Sequence, residues 1–131
     1  MLELNMAKGR ILVVDDDRLV LQMYMHTLRR EGYKYSPFFD AARALRYVTM
    51  HHPEIDLALI DLVMPVMSGV ELSKRLLVIA PELPVILTTA QPVEEKPTKD
   101  NVRAVLPKPT TRAELFSAVQ QYIRQPTPSR F

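Results

Sequence analysis

Acidic, hydroxyl and amine side chains stand at the ends of several short apolar runs in the sequence. They are Asp15, Asp16 and Asp17 after the run 10–14, Asp61 after 57–60, Thr88 and Thr89 at the end of 85–89, and Lys108 after 104–106. Carboxylates that lie close together repel one another unless they bind protons or a hard cation such as Mg²⁺. Lysine and threonine supply a cation and a hydroxyl that suit phosphoryl oxygens. Together these residue types predict a carboxylate nucleophile served by a metal and a phosphate-binding cation.

The apolar runs are typical of β-strands, and most of the segments between them are typical of helices. The predicted strands are Arg10–Val14, Tyr33–Phe38, Leu57–Ile60, Val85–Thr89 and Ala104–Leu106. The predicted helices include Val20 to Leu28 with Gly32 after its end, Ala41–Met50 with Asp40 as N-cap, Val70–Ala80, and a last helix that opens with the capping box Thr111 to Glu114 and ends at Pro126. This alternation predicts an α/β fold with a doubly wound parallel sheet. Ligands of such sheets bind beyond the carboxyl ends of the strands, where the polar side chains stand.

Composition limits the class of protein. The 131 residues suit one domain, and 47% hydrophobic with 24% charged residues exclude disordered and collagen-like chains. The absence of cysteine excludes disulfide scaffolds and thiol catalysis, so a cytoplasmic location is expected. The first residues lack the order of a signal peptide, and Asp56 and Asp61 interrupt the longest apolar stretch, so we expect no membrane span. A net charge of +2 without a run of five like charges gives no reason to expect nucleic acid as a partner.

Five short motifs together resemble the receiver domains of two-component response regulators, the CheY-like superfamily. They are residues 11–17 (ILVVDDD), residues 59–65 (LIDLVMP), Gly69, residues 84–90 (PVILTTA) and Lys108-Pro109. The resemblance covers roughly residues 9–125. It implies a flavodoxin-like, five-stranded parallel sheet of strand order 2-1-3-4-5, with helices on both faces.

The resemblance also implies roles for individual residues. Asp61 is the implied phosphoacceptor, and Asp15 and Asp16 are the implied acidic pair that holds Mg²⁺, Asp16 more directly. Asp61 and the backbone carbonyl of Val63 complete the implied metal ligands. The Thr89 hydroxyl is expected to meet the phosphoryl group, and Lys108 to pair with it. Asp17 falls outside this set, and we interpret it as a helix-capping acid.

The implied function is a switch and not a metabolic enzyme: the domain catalyses only its own phosphotransfer and dephosphorylation. The expected phosphodonor is a phosphohistidine on a sensor histidine kinase or a histidine phosphotransfer protein. We expect a single receiver domain over residues 1–131 with no effector domain, which signals through contacts with other proteins. The sequence leaves a homodimer open.

Two departures from the family pattern concern the output of the switch. Val105 stands where the family commonly has an aromatic residue, three positions before the lysine. The connector from Gln91 to Arg103 contains Pro92 and Pro97, so it should form at most a short helix. Since it contains few large apolar residues, we expect it to be mobile and to be ordered by phosphorylation. We also predict a cis bond between Lys108 and Pro109, because the lysine must turn into the site within one peptide unit.

Two other classes of function compete with this reading. A Mg²⁺-dependent phosphohydrolase with an aspartyl phosphate intermediate usually has an acid two residues beyond the nucleophile, and Val63 at that position argues against it. A pseudo-receiver would bind partners without phosphorylation. The intact set of Asp15, Asp16, Asp61, Thr89 and Lys108 argues against that class, whereas the altered connector keeps it open.

Overall fold

The computed structural model describes residues 8–92 and 100–125, and within these ranges strands and helices alternate as the sequence predicts. The strands are β1 (Arg10–Val14), β2 (Lys34–Phe38), β3 (Leu57–Asp61), β4 (Val85–Thr89) and β5 (Val102–Pro107). The α-helices are α1 (Arg18–Arg30), α2 (Ala41–His51), α3 (Gly69–Ile79) and α4 (Arg112–Tyr122), and a 3₁₀ turn spans His52–Glu54.

The strands form one parallel sheet in the order β2-β1-β3-β4-β5, which confirms the predicted fold class and strand order. The three inner strands are almost wholly buried, as the unbroken apolar runs indicate. The register between β4 and β5 changes once: Val85 pairs with Val102, whereas Ile86 pairs with Ala104. Arg103 is therefore the extra residue of a β-bulge.

Each face of the sheet carries its own apolar core. On one face, β-strand side chains pack with Ala44 and Val48 of α2 and with Leu72 and Leu76 of α3. On the other face they pack with side chains of α1 and α4, which include Leu21, Tyr24, Leu28, Leu115 and Val119. Burial of apolar side chains from the strands and from the four helices in these two cores drives folding.

Each of the helices α1 to α4 has a side-chain N-cap. Asp17 accepts hydrogen bonds from the backbone N–H groups of Leu19 and Val20, which confirms its predicted capping role. The remaining N-caps are Asp40 on α2 and Thr111 on α4, both predicted, and Ser68 on α3. Gly32 follows α1 with a φ of +90°, a conformation in which a side chain is strained.

The last helix ends earlier than predicted, and part of the connector lies outside the described residues. Helix α4 ends at Tyr122, four residues before Pro126, so the proline is not what terminates it. Strand β5 is longer than predicted and includes Val105, which packs against the core shared with α2 and α3. Residues 93–99 lie outside the described residues, so the predicted short helix and mobility of the connector stay predictions. No helix in the described part of the chain is long and apolar enough to cross a membrane.

Candidate functional site

The register of the sheet places the polar residues at the ends of neighbouring strands beside one another. Val14 pairs with Ile60, so the next residues lie side by side: Asp15 directly after β1 and Asp61 at the end of β3. On the other side of β3, Asp61 pairs with Thr88. The edge that the sequence predicts as the ligand site therefore carries the acidic residues in adjacent positions.

Lys108 joins two of the acidic residues. Its Nζ lies 2.8 Å from Oδ2 of Asp15 and 3.2 Å from Oδ2 of Asp61. The lysine side chain is 16% exposed and both carboxylates are buried, so these ion pairs lie largely out of water. The second oxygen of Asp15 accepts the backbone N–H of Asp17 at 2.9 Å, which fixes the orientation of the carboxylate. Charge pairing with little solvent gives strong and directional interactions.

Asp16 completes a group of three carboxylates. One oxygen each from Asp15, Asp16 and Asp61 lies within 4.8 Å of the others, and Asp16 alone of the three is exposed. Three carboxylates face a single ammonium, so the site keeps an excess of negative charge. Hard oxygen donors with excess negative charge fit a divalent cation such as Mg²⁺. Asp15, Asp16 and Asp61 would hold such an ion, and Asp16 is the solvent-exposed member of the three.

The loop after β3 folds back on Asp61. The backbone N–H of Val63 donates to Oδ1 of Asp61 at 3.3 Å, and the N–H of Gly69 donates to the carbonyl of Leu62 at 2.9 Å. Both bonds hold the loop against the end of β3. That the Val63 carbonyl binds the metal stays a prediction.

Thr89 lies at the same edge, buried at the end of β4, but its hydroxyl is engaged elsewhere. It accepts the backbone N–H of Gln91 at 3.1 Å and donates to the Gln91 carbonyl at 3.4 Å. An ST-turn of this kind holds the chain as it leaves β4. The structure therefore places the Lys108 ammonium against Asp15 and Asp61. The Thr89 hydroxyl lies at the same edge of the sheet but is hydrogen-bonded to the backbone of Gln91.

The β-bulge determines where Lys108 stands. Because Arg103 is an extra residue, Thr89 pairs with Pro107, and the backbone N–H of Lys108 donates to the Thr89 carbonyl at 2.8 Å. The Lys108–Pro109 peptide bond is cis, which confirms the prediction. Thr110 then bonds back to the Pro107 carbonyl at 2.7 Å and closes the turn.

The surroundings shift the ionisation of two site residues. Burial raises the pKa of the Asp61 carboxyl and the Asp15 carboxylate raises it further, although Lys108 and the Val63 N–H lower it. Burial alone would lower the pKa of the Lys108 ammonium, but its interactions with Asp15 and Asp61 outweigh burial and raise this pKa. The ammonium is thus held charged, while the charged form of Asp61 is costly without further positive charge.

From sequence alone, Tyr24 is predicted only as part of the apolar stripe of α1. In the structure the Tyr24 hydroxyl is buried, and its polar neighbours are Thr110 and Thr88. A tyrosine in the core stripe of a helix, together with threonines beside the site lysine, is the sequence signal that could have indicated this group. No sequence pattern indicated Arg124, which pairs with the buried carboxylate of Asp56 at the opposite edge of the sheet.

Comparisons with known proteins agree with this architecture. The sequence profile of the response regulator receiver domain matches residues 11–120. A response regulator, MprA, from Mycolicibacterium vanbaalenii is 33% identical over 122 residues, which cover 91% of this chain and 52% of MprA. The chain thus spans about half the length of the curated relatives it matches.

Solved structures show the same fold. The receiver domain of an HD domain-containing protein from Pseudomonas fluorescens Pf-5 is 28% identical with a TM-score of 0.80, and the match covers 88% of this chain and 94% of that one. The receiver domain of a sensor histidine kinase from Pseudomonas aeruginosa PAO1 is 25% identical with a TM-score of 0.78, over 88% of this chain and 98% of that one. In the latter a magnesium ion is coordinated in the active-site cleft. From its matched profile, its fold and its grouped acidic residues, the chain belongs to the family of response regulator receiver domains.

Proposed function

We propose that this receiver accepts a phosphoryl group on Asp61 from a phosphohistidine of a sensor kinase or a phosphotransfer protein, and that the reaction requires Mg²⁺. The observation that carries the proposal is the contact of Lys108 with both Asp15 and Asp61 beside the exposed carboxylate of Asp16. A buried nucleophile, a fixed cation and an acidic pair are the groups that transfer to a carboxylate requires.

Asp61 attacks as the carboxylate. One of its oxygens forms a bond to phosphorus while the bond from phosphorus to the histidine nitrogen breaks. The electron pair of that bond stays on the nitrogen, and the ring leaves as neutral imidazole because its other nitrogen carries a proton. The Val63 N–H binds Oδ1 of Asp61, and Lys108 lies at Oδ2. Bound Mg²⁺, held by Asp15, Asp16, Asp61 and the Val63 carbonyl, would neutralise charge as two anions meet.

Lys108 is the group of this chain that would respond to the negative charge of a phosphoryl group on Asp61. Its ammonium already lies 3.2 Å from Asp61, so a short movement brings it to a phosphoryl oxygen. Thr89 would exchange its bonds to the Gln91 backbone for one to the phosphoryl group. Movement of these two residues is how the domain would signal through contacts with other proteins.

Exposed apolar side chains around the site support a protein as the phosphodonor. Seven large hydrophobic residues are exposed in the described part of the chain. Four of them follow the carboxyl ends of strands within five residues, and Met23 of α1 lines one cavity with Lys108. These five form what we call the apolar rim: Leu19, Met23, Phe39, Val63 and Val66. Val66 is fully exposed and has a φ of +69°, a strained conformation for a β-branched residue. Exposed apolar groups around a reactive residue favour a partner with an apolar surface around its histidine.

Phosphorylation followed by intact mass tests the proposal. The wild type, given Mg²⁺ and either acetyl phosphate or candidate histidine kinases, should gain one phosphoryl group, and chelation of Mg²⁺ should prevent the gain. Asp61→Asn should not gain it. Asp17→Asn is the matched control, because asparagine also caps helices and Asp17 lies outside the proposed site.

The same experiment distinguishes phosphorylation of Asp61 from two alternatives: a different phosphoacceptor, and a pseudo-receiver that is not phosphorylated. A stable phosphoryl group on Asp61→Asn would remove Asp61 from the role of phosphoacceptor. A wild type that binds a histidine kinase but gains no phosphoryl group from any donor would identify a pseudo-receiver.

A further inference from the structure

Three side-chain hydroxyls lie together on the α1 and α4 side of the sheet, and we call them the hydroxyl cluster: Tyr24, Thr88 and Thr110. They are 1%, 0% and 6% exposed in an otherwise apolar core. The hydroxyls of Thr110 and Thr88 are the polar side-chain neighbours of the Tyr24 hydroxyl, and the charges of Lys108 and Asp15 act on it. Tyr24, Thr110 and Lys108 also line one cavity of about 250 Å³. The hydroxyl cluster therefore adjoins the site lysine from within the core.

Packing alone does not explain these hydroxyls. Thr110 donates to the Pro107 carbonyl, but Tyr24 Oη and Thr88 Oγ1 make no hydrogen bond of standard geometry in residues 8–92 and 100–125. A buried polar group without such a bond destabilises the folded state, and phenylalanine or valine would fill the same space without that cost. Buried polar atoms without such hydrogen bonds, this close to the site lysine, indicate a role that involves its charge.

We propose that Tyr24 is a positioning residue for phosphoryl transfer, which acts through Lys108. The proposal rests on the proposed function of Asp61 and Lys108. The Lys108 ammonium lies within ion-pair distance of one oxygen of Asp15 and one oxygen of Asp61. Tyr24 and Thr110 line the same cavity as Lys108, and in this role their hydroxyl oxygens act as acceptor dipoles toward the ammonium. They restrain the ammonium from turning into the cavity and hold it where charge develops on the phosphoryl oxygens.

A double-mutant cycle tests the role of Tyr24. We expect Tyr24→Phe to lower the rate of phosphorylation by acetyl phosphate at saturating Mg²⁺ about fivefold or more, since a small misplacement of a catalytic group has a large effect. In the Lys108→Met background the same substitution should change the rate less than twofold, since the group through which it acts is gone. The midpoint of urea unfolding should stay unchanged or rise. Tyr33→Phe is the matched control, because Tyr33 lies in the same apolar core before β2 and should leave the rate unchanged.

A conservative pair at Thr88 provides a second test. Thr88→Val should slow phosphorylation, and Thr88→Ser, which restores the hydroxyl, should recover most of the wild-type rate. A role in packing alone predicts the opposite, because valine matches the shape of threonine better than serine does. Wild-type rates in both Tyr24→Phe and Thr88→Val would overturn the proposal.

The NMR signal of the Lys108 ammonium tests the positioning without any phosphodonor. In ¹⁵N-lysine-labelled protein this signal should shift or broaden on Tyr24→Phe and stay in place on Tyr33→Phe. An unchanged signal in Tyr24→Phe would contradict the positioning role. Failure of the wild type to be phosphorylated would instead contradict the proposed function of Asp61, and the two failures are thus distinguishable.

Discussion

Gly69 lies directly against the main chain of Asp61. A Cβ atom at position 69 would overlap the Asp61 carbonyl oxygen and would lie 2.9 Å from the Leu62 Cα. The N-terminus of α3 can therefore approach the end of β3 only because position 69 has no side chain. The glycine eight positions after Asp61 in the sequence marks this close approach, which holds the loop that carries Val63 against the site.

Gly69→Ala should destabilise the domain and slow phosphorylation. The new methyl group meets backbone atoms, which cannot move aside as a flexible side chain would, so we expect a loss of about 1–3 kcal/mol in the free energy of unfolding. Urea denaturation and the rate of phosphorylation by acetyl phosphate measure the two effects. Lys74→Ala, on the exposed side of the same helix, should change stability by less than about 0.5 kcal/mol. Equal stabilities of the two variants would contradict the close approach.

Alanine substitutions at Asp16 and Asp17 should distinguish an effect on Mg²⁺ binding from an effect on stability. Asp17→Ala removes the cap of α1 and should cost about 1 kcal/mol of stability, with little effect on Mg²⁺ affinity. Asp16→Ala removes one of three clustered carboxylates and should weaken Mg²⁺ binding severalfold or more. Isothermal titration with Mg²⁺ and urea denaturation of both variants check the two effects. If Asp17→Ala weakened Mg²⁺ binding as much as Asp16→Ala, the assignment of Asp17 as a cap only would be wrong.

Asp61→Asn should be more stable than the wild type at neutral pH without Mg²⁺. The pKa of Asp61 is raised in the folded state, so ionisation costs stability as the pH rises above its ordinary value of 3.8. Asparagine cannot ionise, and Lys108 keeps its shorter ion pair with Asp15. We expect a gain of about 1 kcal/mol at pH 7. The gain should shrink as the pH falls toward 3.8, and also when Mg²⁺ binds the wild type. Urea titrations at several pH values measure it, and a variant less stable than the wild type at pH 7 would contradict the prediction.

Arg124 should be a major contributor to stability at the opposite edge of the sheet. Its guanidinium donates to the carbonyls of Pro53 and Ile55 and pairs with the buried carboxylate of Asp56 at 3.5 Å. Arg124→Ala should cost about 2–3 kcal/mol, since several charge-assisted bonds are lost together. Glu82 forms only an exposed pair with Arg124 at 3.9 Å, so Glu82→Ala should cost less than about 1 kcal/mol. Thermal or urea unfolding of both variants makes the comparison, and similar losses for the two would refute it.

The apolar rim should matter for a protein donor and not for a small one. Replacing Leu19 and Val66 together by serine should slow phosphotransfer from a histidine kinase about tenfold, since apolar contact area is lost, and leave the rate with acetyl phosphate unchanged. The control replaces Met50 and Val78, which are equally exposed but lie on α2 and α3 away from the carboxyl edge, and should affect neither rate. Slower reaction with acetyl phosphate as well would assign these residues to the chemistry and not to docking.

Much of this protein follows from local patterns in the sequence. The apolar runs predict all five strands, Asp17, Asp40 and Thr111 predict three of the caps, and the polar strand ends predict which edge of the sheet carries the site. These features are local, because helix caps and buried strands depend on residues within a few positions of one another. The family of the chain follows from the same short motifs.

Only the tertiary structure decided the distances that matter for the chemistry. The bulge at Arg103 shifts the register of β5 by one residue, and this places Lys108 next to Thr89 and within 3.2 Å of Asp61. No local pattern predicts that shift, since a strand with a bulge and one without have the same apolar residues. The pairing of Arg124 with Asp56 and the grouping of Tyr24 with two threonines likewise join residues far apart in the chain. Such contacts depend on how the sheet and helices pack as a whole, because side chains meet only after register and helix orientation are set.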